Sequence, residues 1–122
     1  MKSILIVDDE DIIRKYLRRL LEPLGYRVIE ASDGNAAIKQ YNEYKPDLVI
    51  MDIIMPGKEG IETMFELKQL NKNIKLIVMS GGGRVKPDNY LRIAEALGVC
   101  AVMKKPFEKK VLLSTVCKAL SN

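Results

Sequence analysis

The sequence predicts a doubly wound α/β fold, in which one open parallel β-sheet carries helices on both of its faces. Short apolar runs alternate along the chain with segments whose apolar residues recur at helical spacing. The runs are apolar at successive positions rather than at every second position, as expected for parallel strands covered on both faces. The alternation repeats five times, at intervals of about 25 residues, which predicts five βα units with right-handed crossovers.

The five apolar runs are the predicted strands. They are Ile4–Val7, Tyr26–Ile29, Leu48–Met51, Leu76–Met79 and Val99–Met103. The second run has the weakest pattern. We predict the strand order 2-1-3-4-5, which is common for five strands in doubly wound sheets. This order places the functional crevice at the carboxyl ends of the strands, around the first and the third.

Five helices are predicted between and after the strands. Their segments are Ile12–Leu21, 33–44, Ile61–Leu70, 88–97 and Val111–Leu120. Pro23 and Gly25 are expected to end the first helix, and Gly98 to follow the fourth. Ser32 or Asp33 can cap the second helix.

The length and composition describe one globular domain over residues 1–122. The chain has 20 Lys and Arg against 16 Asp and Glu, a net charge of +4, and 48% of its residues are hydrophobic. No apolar stretch approaches the length of about 18 residues that a membrane span requires. Met1–Ser3 leads directly into the first strand, so there is no room for a signal peptide. We therefore expect a cytoplasmic protein that does not bind the membrane.

The excess positive charge is confined to the end of the chain. Residues 1–99 contain 15 basic and 15 acidic side chains. The remainder carries Lys104, Lys105, Lys109, Lys110 and Lys118 against Glu108. Such a segment suits an acidic partner or is simply solvated. Because aromatic residues are few and no base-reading motif is present, nucleic-acid binding is not expected.

Cysteine and histidine usage excludes several kinds of site. The chain has no histidine, so a triad that needs a histidine base cannot form. Cys100 and Cys117 form no CxxC pair, which argues against a zinc site. We expect both cysteines to be small buried apolar residues.

Polar side chains follow four of the predicted strands at the point where each strand ends. They are Asp8, Asp9 and Glu10 after the first strand, Asp52 after the third, Ser80 after the fourth and Lys105 after the fifth. Taken singly, the first group could be a helix N-cap with an acidic first turn, the serine a loop hydroxyl and the lysine a solvated side chain. Asp52 does not fit such an interpretation, because a lone carboxylate at the end of a buried strand is costly.

The charges at this edge predict a divalent cation. Two carboxylates about 4 Å apart repel by about 4 kcal/mol at an effective dielectric constant near 20. Asp8, Asp9 and Asp52 sum to −3, and Lys105 supplies +1. Mg²⁺ would bring the total to zero, accepts oxygen ligands and bridges to phosphate. With the charge balanced, one carboxylate can attack a phosphorus atom, so the predicted chemistry is phosphoryl transfer to an aspartate.

Four motifs in order at the strand ends make the chain similar, over its whole length, to the receiver domains of response regulators in two-component signalling. They are Ile6–Glu10, Pro46–Gly57, Ser80 and Lys105–Phe107. The resemblance implies a flavodoxin-like fold and a switch rather than an enzyme. It also implies that Asp52 accepts a phosphoryl group from a phosphohistidine of a sensor histidine kinase or a histidine phosphotransfer protein.

The resemblance also implies a role for each site residue. Asp9, Asp52 and the backbone carbonyl of Ile54 would bind Mg²⁺ directly, with Asp8 acting mainly through water. Ser80 would donate a hydrogen bond to the phosphoryl oxygen.

On the same basis, Lys105 would form an ion pair with the phosphoryl group. A cis peptide bond is expected before Pro106. Phosphorylation is expected to shift the fourth helix, so that a downstream protein binds the face formed by this helix, the fifth strand and the fifth helix.

Two features depart from the usual family pattern. The fifth-strand position that usually carries an aromatic switch residue is Val102, whose β-branched side chain is stiff. The segment after Ser80 is longer than usual and begins with three glycines, which we interpret as a flexible connection. Ile54 and Gly82 occupy the positions that orient the hydrolytic water in the family, and neither side chain can hydrogen-bond to water. Slow dephosphorylation is therefore expected.

Three other functions are compatible with parts of this pattern. An aspartyl-nucleophile phosphatase needs an acid/base carboxylate two residues after the nucleophile, where this chain has Ile54. A flavin-binding module needs a phosphate-binding loop after the first strand, where this chain has acidic residues. A receiver-like interaction module that acts without phosphorylation is disfavoured by the complete acidic set and the lysine, although Val102 keeps it as an alternative.

Overall fold

The protein is described from a computed structural model, which covers residues 1–53, 60–80 and 87–121, with residues 87–91 as backbone. The strands are β1 (Ser3–Val7), β2 (Arg27–Ala31), β3 (Leu48–Asp52), β4 (Leu76–Ser80) and β5 (Ala101–Lys104). The helices are α1 (Asp11–Leu21), α2 (Gly34–Tyr44), α3 (Gly60–Leu70), α4 (Pro87–Ala96) and α5 (Lys109–Ser121). The alternation of strands and helices predicted from the sequence is confirmed.

The five strands form one parallel sheet in the order β2-β1-β3-β4-β5. The predicted order is therefore confirmed. Its consequence is that β1 and β3 are neighbours in the sheet, with Val7 level with Met51. The residues that follow these two strands come together at the carboxyl edge. Among the described residues, no helix is both long and apolar enough to cross a membrane.

Two hydrophobic clusters lie on opposite faces of the sheet and explain the continuous apolar runs. Successive strand residues point to opposite faces, and both faces are covered. Leu5 and Val49 belong to the cluster that includes Ala37 of α2 and Met64 of α3. The other cluster includes Ile4 and Ile50 of the sheet, Leu17 and Leu21 of α1, and Leu112 and Val116 of α5. Every residue of β3 and β4 is buried as a result.

Several element ends differ from the prediction. Asp52 and Ser80 are the last residues of β3 and β4 rather than the residues that follow them. β5 begins at Ala101 instead of Val99, because the amide of Val99 donates to the carbonyl of Ala94 and so belongs to the turn after α4. β2 extends to Ala31 and thus contains Glu30, a charged residue that the apolar pattern did not place in the strand.

Local backbone signals act as expected at the helix ends. Asp33 is the N-cap of α2, and its side chain accepts a hydrogen bond from the amide of Ala36 at 2.8 Å. A short 3-10 turn at Glu22–Leu24 ends the first helical segment, and Gly25 follows it with a φ of 93°. At the start of α3, a side chain at Gly60 would place its Cβ 2.4 Å from the carbonyl oxygen of Ile53, so the backbones can approach only because the residue is glycine.

The prediction that both cysteines are buried was wrong. Cys100 and Cys117 are exposed. Cys100 precedes the edge strand β5, where the sheet ends and a surface cavity opens. On α5, the buried stripe runs through Leu112, Val116 and Ala119, and Cys117 lies off this stripe. The apolar character of cysteine led to the prediction of burial. Cys100 is exposed instead because of its place beside the edge strand, and Cys117 because of the helix face on which it lies.

Candidate functional site

Two buried aspartates lie side by side at the carboxyl edge of the sheet. Asp8 follows β1 directly and is fully buried, and Asp52 at the end of β3 is 6% exposed. Asp9 is exposed at the same edge. Ligand oxygens of Asp8, Asp9 and Asp52 all lie within 4.8 Å of one another. The sheet order thus brings Asp52 next to Asp8 and Asp9, although Asp52 follows Asp8 by 44 positions in the sequence.

Lys105 reaches into this acidic cluster from the segment after β5. Its Nζ lies 2.8 Å from Oδ2 of Asp8 and 3.1 Å from Oδ2 of Asp52. The sequence predicted an ion pair between Lys105 and the phosphoryl group, and the structure adds that the lysine bridges both buried aspartates. Its side chain is 16% exposed. The Lys105–Pro106 peptide bond is cis, as expected.

Burial and charge act in opposite directions on the lysine. Burial alone would lower the pKa of Lys105, because it disfavours the charged form. The hydrogen bond to Asp8 and the negative charges of Asp52 and Asp8 outweigh this effect and raise the pKa above its ordinary value. The lysine therefore stays protonated at neutral pH and supplies a permanent positive charge between the two carboxylates.

Asp8 is held by more than the lysine. Its Oδ1 accepts a hydrogen bond from the amide of Glu10 at 2.9 Å, and its own amide donates to the carbonyl of Ala31 at 3.1 Å. Glu10 is the N-cap of α1 but makes no capping bond with its side chain. The acidic run is therefore not simply a helix cap, since its most buried member belongs to the carboxylate cluster.

Ser80 lies at the same edge of the sheet and is 4% exposed. In the adjoining strand, Asp52 is level with Met79, the residue before Ser80. The carbonyl of Ser80 accepts a hydrogen bond from the amide of Lys105 at 2.8 Å, which ties the ends of β4 and β5 together. Val102 is half-buried and packs against the cluster that contains Ala94 of α4.

Two residues with a predicted role, Ile54 and Gly82, fall outside the described residues, as does the glycine-rich segment after Ser80. The expected metal contact of the Ile54 carbonyl, the effect of both residues on hydrolysis and the flexible connection after Ser80 therefore stay predictions.

The acidic cluster fits a hard divalent cation. Its three carboxylates carry −3, and the bridging Lys105 leaves −2 at an edge where two of the carboxylates are buried. Oxygen ligands of this kind suit Mg²⁺, which keeps water in the rest of its coordination shell. Asp9, the third carboxylate, is exposed to solvent.

An arginine network beside the cluster was missed in the sequence. Arg14 of α1 donates from Nη1 to the backbone carbonyl of Asp8 at 2.6 Å and from Nε to Glu30 at 3.1 Å. Arg18, one turn later, donates to the other oxygen of Glu30 at 2.7 Å. The sequence contains a signal for this network, because Arg14 and Arg18 are one helical turn apart and Glu30 directly follows an apolar run. The predicted second strand ended at Ile29, so Glu30 was not placed in the sheet beside the first helix.

Comparison with known proteins agrees with the fold and identifies the family of the chain. The sequence profile of a family described as the response regulator receiver domain matches residues 4–117. The chain belongs to this family, whose members are regulators in two-component systems, and the suspected resemblance is confirmed. Phosphorylation and Mg²⁺ binding are typical of the family.

Individual relatives cover nearly the full chain. The chemotaxis protein CheY of Halobacterium salinarum is 33% identical over 120 residues, with 98% of each chain covered. The sporulation initiation phosphotransferase F of Bacillus subtilis is 32% identical over 119 residues, which cover 98% of this chain and 94% of that one. A receiver domain protein from Clostridium thermocellum has a solved structure that superposes with a TM-score of 0.90 at 28% identity, covering 99% and 95% of the two chains.

Proposed function

We propose that residues 1–122 act as a single phosphorylation-dependent switch, in which Asp52 accepts a phosphoryl group from a phosphohistidine of a sensor histidine kinase or a histidine phosphotransfer protein. The observation that carries this proposal is the bridge from Lys105 to Asp8 and Asp52, at 2.8 and 3.1 Å. The bridge places a fixed cation beside a buried carboxylate whose neighbours are also carboxylates. Such an arrangement has no structural advantage over an apolar strand end, but it suits transfer of a charged group.

Several residues of this chain have separate roles in the phosphoryl-transfer step. A carboxylate oxygen of Asp52 attacks phosphorus, the phosphorus–nitrogen bond of the donor breaks, and the imidazole leaves with the bonding electron pair. Lys105 balances charge on the transferring oxygens, and Ser80 donates a hydrogen bond to one of them. Asp9, Asp52 and the carbonyl of Ile54 would hold Mg²⁺, with Asp8 bound through water, and the ion would neutralise phosphoryl oxygens.

Phosphorylation would change the charge at the edge of the sheet and so the affinity for a partner. Asp52 carries −1 before the reaction and about −2 afterwards, with new acceptor oxygens near Ser80. The partner surface that we propose consists of α4, β5 and α5. Between β5 and α5 lies a cavity of about 350 Å³ lined by Val102, Phe107 and Val111 among others. Because Val102 cannot act as an aromatic switch, the signal would pass from Ser80 to α4 instead.

The phosphoacceptor is tested by intact-mass measurement after incubation with Mg²⁺ and acetyl phosphate. The parent should gain one phosphoryl group, and Asp52→Asn should gain none, because the amide keeps the shape of the side chain but is not a nucleophile. Asp33→Asn is the matched control: asparagine caps a helix as well as aspartate does, so this variant should label like the parent. Full labelling of Asp52→Asn would rule out the assignment. A parent that binds Mg²⁺ but gains no mass would favour the interaction module that acts without phosphorylation.

We also propose that the phosphorylated form decays slowly. Ile54 and Gly82 occupy the positions that orient the attacking water in the family, and neither side chain can hydrogen-bond to it. Orienting groups contribute about 10²- to 10⁴-fold to such reactions, so the double variant Ile54→Asn, Gly82→Glu should decay at least about tenfold faster. Decay is followed by mass after removal of the donor, at equal Mg²⁺. Equal decay rates in two variants that fold and label equally would show that water orientation at these positions does not limit hydrolysis.

A further inference from the structure

We propose that Arg14 is a positioning residue for the Mg²⁺ site, acting through the backbone of Asp8 rather than through its own charge. This inference rests on the proposed metal-dependent function. Arg14 lies in the second turn of α1, and its side chain is only 12% exposed. Its guanidinium donates to three acceptors: the carbonyl of Asp8, the carboxylate of Glu30 and the carboxylate of Asp11.

The bond to the carbonyl of Asp8 is the one that reaches the metal site. At 2.6 Å it is short, as charge-assisted hydrogen bonds are. That carbonyl belongs to the peptide group that joins Asp8 to Asp9. By binding it, Arg14 fixes the orientation of this peptide plane and therefore the direction in which the side chain of Asp9 points. Glu30 in turn fixes Arg14, because its two oxygens are shared between Arg14 and Arg18 and it is anchored in β2.

Asp9 is the carboxylate that depends most on this backbone. Asp8 and Asp52 are buried and bridged by Lys105, so their side chains are held directly. The side chain of Asp9 is exposed and, within residues 1–53, 60–80 and 87–121, makes no hydrogen bond or ion pair. Its position therefore follows from the direction of the chain at the Asp8–Asp9 peptide, which Arg14 sets.

Positioning and charge predict opposite results, which makes the inference testable. A positive charge next to a cation site disfavours Mg²⁺, so removal of the charge alone would tighten binding. Loss of a positioning bond would weaken it, because groups that orient metal ligands typically contribute about 10- to 100-fold in affinity. Arg14→Met removes both the charge and the bond, whereas Arg14→Lys keeps the charge and loses the planar fork that reaches three acceptors.

The experiment is calorimetric titration of Mg²⁺ into the parent, Arg14→Met, Arg14→Lys and Arg18→Met. Arg18→Met is the matched control, because Arg18 carries the same charge and donates its hydrogen bonds to Glu30 and Glu22 rather than to Asp8. We expect both Arg14 variants to bind Mg²⁺ about tenfold more weakly than the parent, and Arg18→Met to bind as tightly as the parent or slightly more tightly. Urea unfolding without Mg²⁺ shows whether each variant folds, and Arg14→Lys provides the test if Arg14→Met does not.

Each remaining outcome decides against the proposal. Unchanged or tighter binding by the folded Arg14 variants would show that Arg14 acts only through charge or not at all. An equal loss in Arg18→Met would assign the effect to Glu30 and the general stability of this region. If the parent does not bind Mg²⁺, the proposed metal site is wrong and this inference is wrong with it. If the parent binds Mg²⁺ and the Arg14 variants bind it equally well, only the inference about Arg14 is wrong.

Discussion

Replacement of Lys105 by methionine should lower the free energy of unfolding at neutral pH by about 3 kcal/mol in the absence of Mg²⁺. The expected loss is large because Lys105 is the cation that bridges Asp8 and Asp52, and removal of one partner leaves buried charge uncompensated. Mg²⁺ should restore much of the lost stability, since it also neutralises the carboxylates. Phosphorylation from acetyl phosphate should fall sharply in the same variant, because the cation at Lys105 no longer faces the transferring group.

The pH dependence of this effect follows from the raised pKa of Lys105. A group whose pKa is higher in the folded state contributes stability that is fully present below its unfolded pKa, about 10.4 for lysine, and is lost as the pH rises through the folded value. The difference in stability between parent and Lys105→Met should therefore be constant near neutral pH and shrink above about pH 10.4.

Urea unfolding across this pH range checks both expectations. Lys104→Met is the matched control, because Lys104 precedes Lys105 in the chain but is exposed. Equal stability of the Lys105→Met and Lys104→Met variants at neutral pH would show that the bridge does not stabilise the fold.

Mg²⁺ should raise the stability of the parent, and Asp9→Ala should remove most of this gain. An ion that binds only the folded state adds about 2.7 kcal/mol at a concentration one hundred times its dissociation constant. Asp9 is a proposed direct ligand whose oxygen lies within 4.8 Å of ligand oxygens of Asp8 and Asp52. Without the ion, Asp9→Ala should be at least as stable as the parent, because the substitution removes one repelling charge from the cluster.

Thermal unfolding with and without Mg²⁺ measures the gain. Glu10→Ala is the control for charge, because it removes one negative charge from the next residue, and the side chain of Glu10 makes no capping bond to α1. The control should keep most of the stabilisation by Mg²⁺. If Asp9→Ala and the parent gain equally, Asp9 is not a ligand.

The strand order, and the edge of the sheet where the acidic residues and the lysine meet, could be predicted from the sequence alone. Continuous apolar runs require parallel strands that are covered on both faces, and the two observed clusters meet that requirement. Once the sheet is parallel, all carboxyl ends of its strands share one edge. Asp8, Asp52, Ser80 and Lys105 could therefore be predicted to converge from their places after the strands alone.

Which of these groups contact one another, and which apolar residues are buried, could not be predicted before the elements were packed together. Lys105 bridges two aspartates, and Arg14 binds the carbonyl of Asp8, because the sheet and α1 bring together residues far apart in the chain. Cys100 is exposed beside the edge strand β5, and Cys117 is exposed because it lies off the buried stripe of α5. Sequence periodicity reports the side of an element on which a residue lies, whereas contacts and burial also depend on what packs against that side.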